Sequence, residues 1–220
     1  MCFVKGCTIA TPGGGRPVES LKPGDLVATL DGAAETVLWV GRSRITWAEQ
    51  MSDQRKRPIR IGREALGPGT PERAVMIAPT HRVLVRSPQV SRLAGEREAL
   101  VPALALTPLP GVRLMPSLPE LDYIHLACAR HVLLLAEGAG VESILPEPLA
   151  VQAMAPTQRI DLAETLGWAE GHWQEMRRVR PILSMRKAEK LVERSMRSRM
   201  PLVVPLRETP QVARIGHRAG

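Results

Sequence analysis

The chain has 220 residues, a formal net charge of +8, and only one Phe, one Tyr and four Trp. That length admits one full core with an appendage, or two small domains. No stretch approaches the ~20 apolar residues of a membrane span, the first residues lack the layout of a secretory signal, and three cysteines argue against a disulfide scaffold. A cytoplasmic protein with at least one free thiol is expected.

The charge is unevenly placed. Between Met176 and Met200 stand nine Arg or Lys and two Glu, so the remainder of the chain is close to neutral. The high pI describes a tail rather than a basic domain.

Taken in order, the chain opens on Cys2-Phe3-Val4-Lys5-Gly6-Cys7-Thr8-Ile9-Ala10-Thr11 and a glycine-rich bend. Pro17-Val18-Glu19-Ser20-Leu21-Lys22-Pro23-Gly24-Asp25-Leu26-Val27 follows. Leu26–Leu30 and Glu35–Val40 flank Asp31-Gly32, a hairpin signal because Gly accepts positive φ without steric cost. Further short β-type runs are Ile59–Ile61, Ala74–Ile77, Arg82–Val85, Ala99–Val101, Val112–Leu114, Tyr123–Ala127, Val132–Ala136 and Val141–Ile144. Many short strands without long helical patterns between them predict a compact, mainly β fold. Gly41–Arg57 and Arg86–Glu98 are polar and read as loops.

Pro146–Thr157, with three prolines, reads as a connection. Beyond it the pattern turns helical. Asp161–Gln174 is one candidate, with Asp161 as cap and Glu164 three residues on. Ser184–Met200 is another, capped by Ser184, with Ala188, Leu191, Val192 and Met196 at helical spacing between Pro181 and Pro201. The expected division is a β domain over 1–147, a Pro-containing linker over 148–160 and a basic helical tail over 161–220. Electrostatic binding of nucleic acid or an anionic membrane surface by that tail is a further alternative, against which stands the near absence of aromatics for base stacking. No specific nucleic acid partner is expected, and a solvated helix face packed on the β domain is the preferred reading.

A cysteine beside an amino terminus has one unusual chemical option. Its thiolate can attack the carbonyl of the preceding residue and convert the peptide bond into a thioester. Something must then protonate the departing nitrogen, and histidine suits that task near pH 7.

The segment from Cys2 to Asp31 resembles the amino-terminal block of the Hint domain, the module shared by inteins and the autoprocessing half of hedgehog proteins. The bacterial hedgehog/intein-like branch is most similar, although Cys7 stands where that branch usually has threonine. Met76-Ile77-Ala78-Pro79-Thr80-His81-Arg82-Val83-Leu84-Val85 resembles the family's second block. Tyr123-Ile124-His125-Leu126, Arg130-His131 and Ala136-Glu137-Gly138 through Glu142-Ser143 are similar to its last blocks. The matching segments span residues 2–147.

The resemblance implies a horseshoe of many short strands with a C-terminal helical tail. It also implies self-processing in a single turnover, as distinct from a turnover enzyme, with Cys2 as nucleophile and His81 as donor to the scissile nitrogen. His125 or His131 would activate the water or amine that resolves the thioester. Where the family often has Ser or Thr, this chain has Ala78, and Thr80 is the neighbouring hydroxyl. The implied cis substrate is an upstream fused domain, not present in this chain, with a small thiol, amine or water as acceptor. The alternative is a degenerate Hint scaffold that serves as an interaction module.

The remaining residues read as structural. Cys7 and Cys128 are expected to pack in the core, and Asp25 to serve a turn. Glu137 and Glu142 form a conceivable acid pair that nothing else in the sequence supports. Cys2-x4-Cys7 with a distant His125 lacks zinc-site spacing, so no metal and no cofactor are expected. The chain contains no asparagine and finishes Arg218-Ala219-Gly220, so splicing through a terminal asparagine is not expected.

Overall fold

The computed structural model describes residues 2–152, 154–168 and 176–204. Its strands are β1 (Phe3–Val4), β2 (Thr8–Thr11), β3 (Gly14–Pro17), β4 (Leu26–Ala28), β5 (Ala34–Ile45), β6 (Ile59–Ile61), β7 (Val75–Ile77), β8 (Arg82–Arg86), β9 (Glu98–Pro102), β10 (Val112–Leu114), β11 (Leu121–Cys128), β12 (Leu133–Ala136) and β13 (Ala139–Glu142). They form a seven-stranded sheet, β10-β6-β7-β1-β11-β5-β4, and a six-stranded sheet, β3-β2-β12-β13-β8-β9. The protein is mainly β, and its core lies between the two sheets.

Two-residue β1 organises the first sheet. Phe3 is registered with Ile77 of β7 on one side and Ile124 of β11 on the other. Both Phe3 and Val4 are buried, so the hydrophobic effect carries the front of the chain into the middle of a sheet. Beside it β5 and β11 form a long antiparallel ribbon with a register shift between Ala127 and Cys128. Such a bulge bends the strand and increases its local twist.

The helices are α1 (Trp47–Ser52), α2 (Pro88–Ala94), α3 (Pro148–Gln152), α4 (Pro156–Thr165) and α5 (Met185–Ser198). Two of them correct the loop expectations. Over Gly41–Arg57, β5 continues to Ile45 and α1 follows on a capping box, in which the Thr46 hydroxyl accepts from the Glu49 N–H and the Glu49 carboxylate accepts from the Thr46 N–H. Over Arg86–Glu98, Ser87 caps α2, Pro88 occupies its first turn, and Gly95 closes it in the left-handed region.

Residues 148–160, read above as a linker, hold α3 and the first half of α4. The latter begins at Pro156, a residue whose ring-fixed φ suits the first helical turn, five residues before the expected Asp161. The Asp161 carboxylate instead accepts a hydrogen bond from the Trp39 indole at 2.6 Å. Residues 169–175, which complete the expected Asp161–Gln174 helix, lie outside the described residues, as does 205–220.

Helix α5 matches its expected span. Ser184 accepts from the Lys187 N–H, and Ala188, Leu191 and Val192 are buried in the same cluster as Phe3, Ile77, Val101 and Leu106. On either side, the Leu100 N–H donates to the Pro181 carbonyl and the Arg86 N–H to the Leu202 carbonyl, at 2.8 and 2.7 Å. The basic helix therefore shares the core of the β fold, its charged residues facing outward. Among the described residues no helix is long and apolar enough to cross a membrane.

Candidate functional site

Cys2 lies at the mouth of β1, between the end of β7 and the middle of β11. Its carbonyl oxygen accepts from the Ala78 N–H at 2.9 Å, and Nδ1 of His81 lies 2.9 Å from the same oxygen. Its sulfur lies 3.5 Å from Nε2 of His125, which is also 3.3 Å from the Ser43 hydroxyl. Registry explains this convergence. Pairing Val4 with Tyr123 and Phe3 with Ile124 leaves His125 as the next β11 residue, alongside Cys2.

The thiol is tuned. Burial pushes the Cys2 pKa up, but the positive amino terminus and His125, by charge and by hydrogen bonding, outweigh it and bring it down to about 7. The thiolate is thus more accessible at neutral pH than in an ordinary cysteine. The other two cysteines behave oppositely. Burial, reinforced by nearby carboxylates, pushes Cys128 up to about 12 and Cys7 further still. Both are buried in the core, where a thiol is a small apolar group.

His81 is enclosed, with the Phe3 ring edge-on at 4.6 Å. Both its nitrogens face carbonyls, Nδ1 that of Cys2 and Nε2 that of Glu142 at 2.8 Å. A neutral imidazole has one N–H and can donate to only one of the two. Burial and the positive amino terminus push its pKa down to about 4, against the pull of Glu142 and the two carbonyls. One proton is thus shared by two competing acceptors. The expected donor to a nitrogen is aimed at an oxygen of Cys2, and the nitrogen of that residue lies roughly 3 Å from its own carbonyl oxygen by standard backbone geometry.

Of the expected residues, Cys2, His81 and His125 come together. Thr80 is exposed and lines the rim of the cleft over Cys2, which encloses about 570 Å³ and is also lined by Arg82, Glu147, Ala150 and Met154. His131 does not reach Cys2's sulfur. It precedes β12, is buried, and bonds the Glu142 carboxylate through Nε2 at 3.1 Å, while its Nδ1 accepts from the Val179 N–H at 3.2 Å.

The family model described as the Hint domain matches residues 1–148. The chain belongs to the Hint domain family. Solved structures similar to it include the bacterial intein-like domain from Clostridium thermocellum, at 13% identity and a TM-score of 0.42, covering 65% of this chain and 98% of that one. The AceL NrdHF class 3 split intein, in a splice-inactive variant, is similar at 10% identity and a TM-score of 0.44, covering 64% and 95%. The MchDnaB-1 intein follows at 11% identity and a TM-score of 0.38, covering 64% and 99%. No curated protein matches the sequence.

In this Hint domain one buried residue was undervalued by sequence reasoning. The wholly buried Glu142 accepts from the Arg82 N–H at 3.0 Å and from the Arg82 guanidinium at 3.2 Å, besides its contacts with His81 and His131. Its supposed partner Glu137 is elsewhere, accepting from the Thr8 N–H and Arg73. Ser43 was missed because Gly41–Arg57 carries no alternation that would announce a strand.

Proposed function

We propose that this Hint domain is an autoprocessing module that performs an N-to-S acyl shift at Cys2. The Cys2 thiolate attacks the carbonyl carbon of the residue before it, so a C–S bond forms and the C–N bond breaks. His125 holds the thiol proton or stabilises the thiolate, and the Cys2 nitrogen leaves with a proton delivered by His81. The resulting thioester is released by water, a small thiol or an amine. The 220 residues hold no asparagine, so no side chain within them offers the asparagine-dependent step of splicing.

The supporting observation is that one residue bears both contacts. Sulfur of Cys2 faces His125 and the backbone of Cys2 faces His81. The test is a fusion carrying a folded protein upstream of Cys2. Added thiol releases the partner from the parent fusion and leaves Cys2→Ala intact; an intact parent fusion by mass spectrometry rejects the activity.

A second reading rests on Ala78. Its methyl group stands where the family often offers a hydroxyl, and its N–H is already engaged by the Cys2 carbonyl. In that reading the fold persists as a non-catalytic scaffold, and the same intact fusion is its positive result.

A further inference from the structure

Past residue 148, where the family match ends, the chain returns to the site. Residues 178–183 run along the edge of the six-stranded sheet. Ile182 makes a parallel bridge with Leu100 of β9, and Val179 and Ile182 pack on Leu84, Leu100 and Leu133. Arg180 pairs with Glu98 and Asp31. These contacts hold the strap in place, and two others join it to buried polar groups behind Cys2.

The first runs through the backbone. The Val179 N–H donates to Nδ1 of His131, so that nitrogen carries no proton and the ring's one proton sits on Nε2. From there it is donated to the Glu142 carboxylate. The second runs through side chains, from Arg178 to Glu147 at 2.8 Å, on to Arg82, and to Glu142 again. Glu142 in turn presents its carbonyl to Nε2 of His81, whose other nitrogen meets Cys2. The His131–Glu142 pair is wholly buried, and there an unmatched donor or acceptor in low dielectric is costly; the Arg178–Glu147 end is exposed to solvent and contributes less.

We propose that the strap over residues 178–183 is a positioning element of the Cys2 site. It acts through His131 and Glu142 to set the tautomer and orientation of His81. The proposal deepens the acyl-shift reading and, for its rate arm, rests on it. Val179 is a positioning residue whose N–H matters and whose side chain does not act on the ring.

The experiment uses the full chain with a fused upstream protein. Val179→Pro removes the N–H, Val179→Ala keeps it while trimming the packing, and a backbone ester at position 179 removes it at nearly constant shape. Nitrogen-15 spectra of the His81 and His131 rings and the pH profile of thiol-induced release are recorded for each. The expected result is altered ring signals for both histidines, with release slowed roughly tenfold, in the proline and ester variants, a part of what a general acid contributes. Val179→Ala keeps the parent's signals and profile. If the proline variant does not fold, the ester decides. Folded ester or proline protein with His81 signals like the parent's overturns the proposal, as does an alanine variant that changes them equally. A parent fusion that never releases its partner rejects the acyl shift, and the ring spectra still decide the strap.

Discussion

The carbonyl oxygen of Cys2 lies 2.9 Å from Nδ1 of His81, although 79 positions separate them. The contact exists because β1 is held between β7 and β11, and because the turn after β7 brings His81 back over the start of the chain.

Alkylation should single out one cysteine. With its pKa lowered to about 7, Cys2 reacts at a rate that is half-maximal near pH 7 and levels off above it, as the thiolate fraction saturates. Cys7 and Cys128, buried with raised pKa values, are labelled only after unfolding. Iodoacetamide labelling across pH, read by peptide mass spectrometry, checks both statements. His125→Ala should move the Cys2 midpoint upward, and a move of one unit slows labelling at acidic pH about tenfold.

The amino-terminal charge supplies part of these shifts. It lowers both the Cys2 thiol and the His81 ring. In a fusion a neutral amide replaces that charge, so both pKa values should rise, Cys2 from about 7 and His81 from about 4. Comparing the Cys2 labelling midpoint and the His81 ring titration in the free chain and in a Cys2-proximal fusion measures the two displacements. Unchanged midpoints would contradict the electrostatic account.

His81 should also make the fold acid-sensitive. Its folded pKa lies below the ordinary histidine value, so the unfolded chain binds this proton more readily. The associated stability is fully present above about pH 6.5 and is lost as pH falls toward about 4. By linkage the loss is on the order of 3 kcal/mol. Denaturant midpoints between pH 7 and 4 test this, and His81→Gln should flatten the slope.

Gly41 is needed for the wall beside His125. A β-carbon there would stand 2.1 Å from the Trp39 ring, which packs 6.3 Å from the His125 ring and donates to Asp161. Gly41→Ala should therefore cost about 1–3 kcal/mol through overpacking, and tryptophan fluorescence should report the displaced indole. Melting temperature and fluorescence equal to the parent's would show that the ring yields without cost.

Helix α5 should unfold with the sheets. Leu191 is fully buried in the main cluster, and Leu191→Ala is expected to destabilise by about 2–5 kcal/mol. Ser184→Ala, which removes the cap, should cost about 1 kcal/mol. A single transition seen alike by far- and near-ultraviolet dichroism is the expected behaviour. Separate transitions would make the helix an independent unit.

Much of the strand pattern was readable because its signals are local. Asp31-Gly32 between apolar runs announces the hairpin of β4 and β5, and alternating burial marks β6 and β7. The Ser184 cap and the Leu191 periodicity locate α5. Signals for α1 and α2 were also present, as Thr46-x-x-Glu49 and Ser87-Pro88, but the polar character of their segments masked them. At the site, residue types and order pointed to Cys2 and His81, with Thr80 beside them and His125 or His131 as alternatives. Nothing in the sequence says which of the two meets the sulfur: His125 lies within the run Tyr123–Ala127 and His131 just before Val132–Ala136, and the strand neighbours each meets decide it.

The order of short strands and turns, a cysteine near the front, and the amphipathic basic helix are properties of neighbouring residues, and the sequence by itself determined them. Which imidazole touches the sulfur, which is locked against Glu142, and that the late strap at Val179 reaches that carboxylate through His131 were decided only by tertiary structure. The reason is physical. Hydrogen bonds act over about 3 Å, and residues far apart in the chain come that close only after the hydrophobic core has set the registry of the strands that carry them.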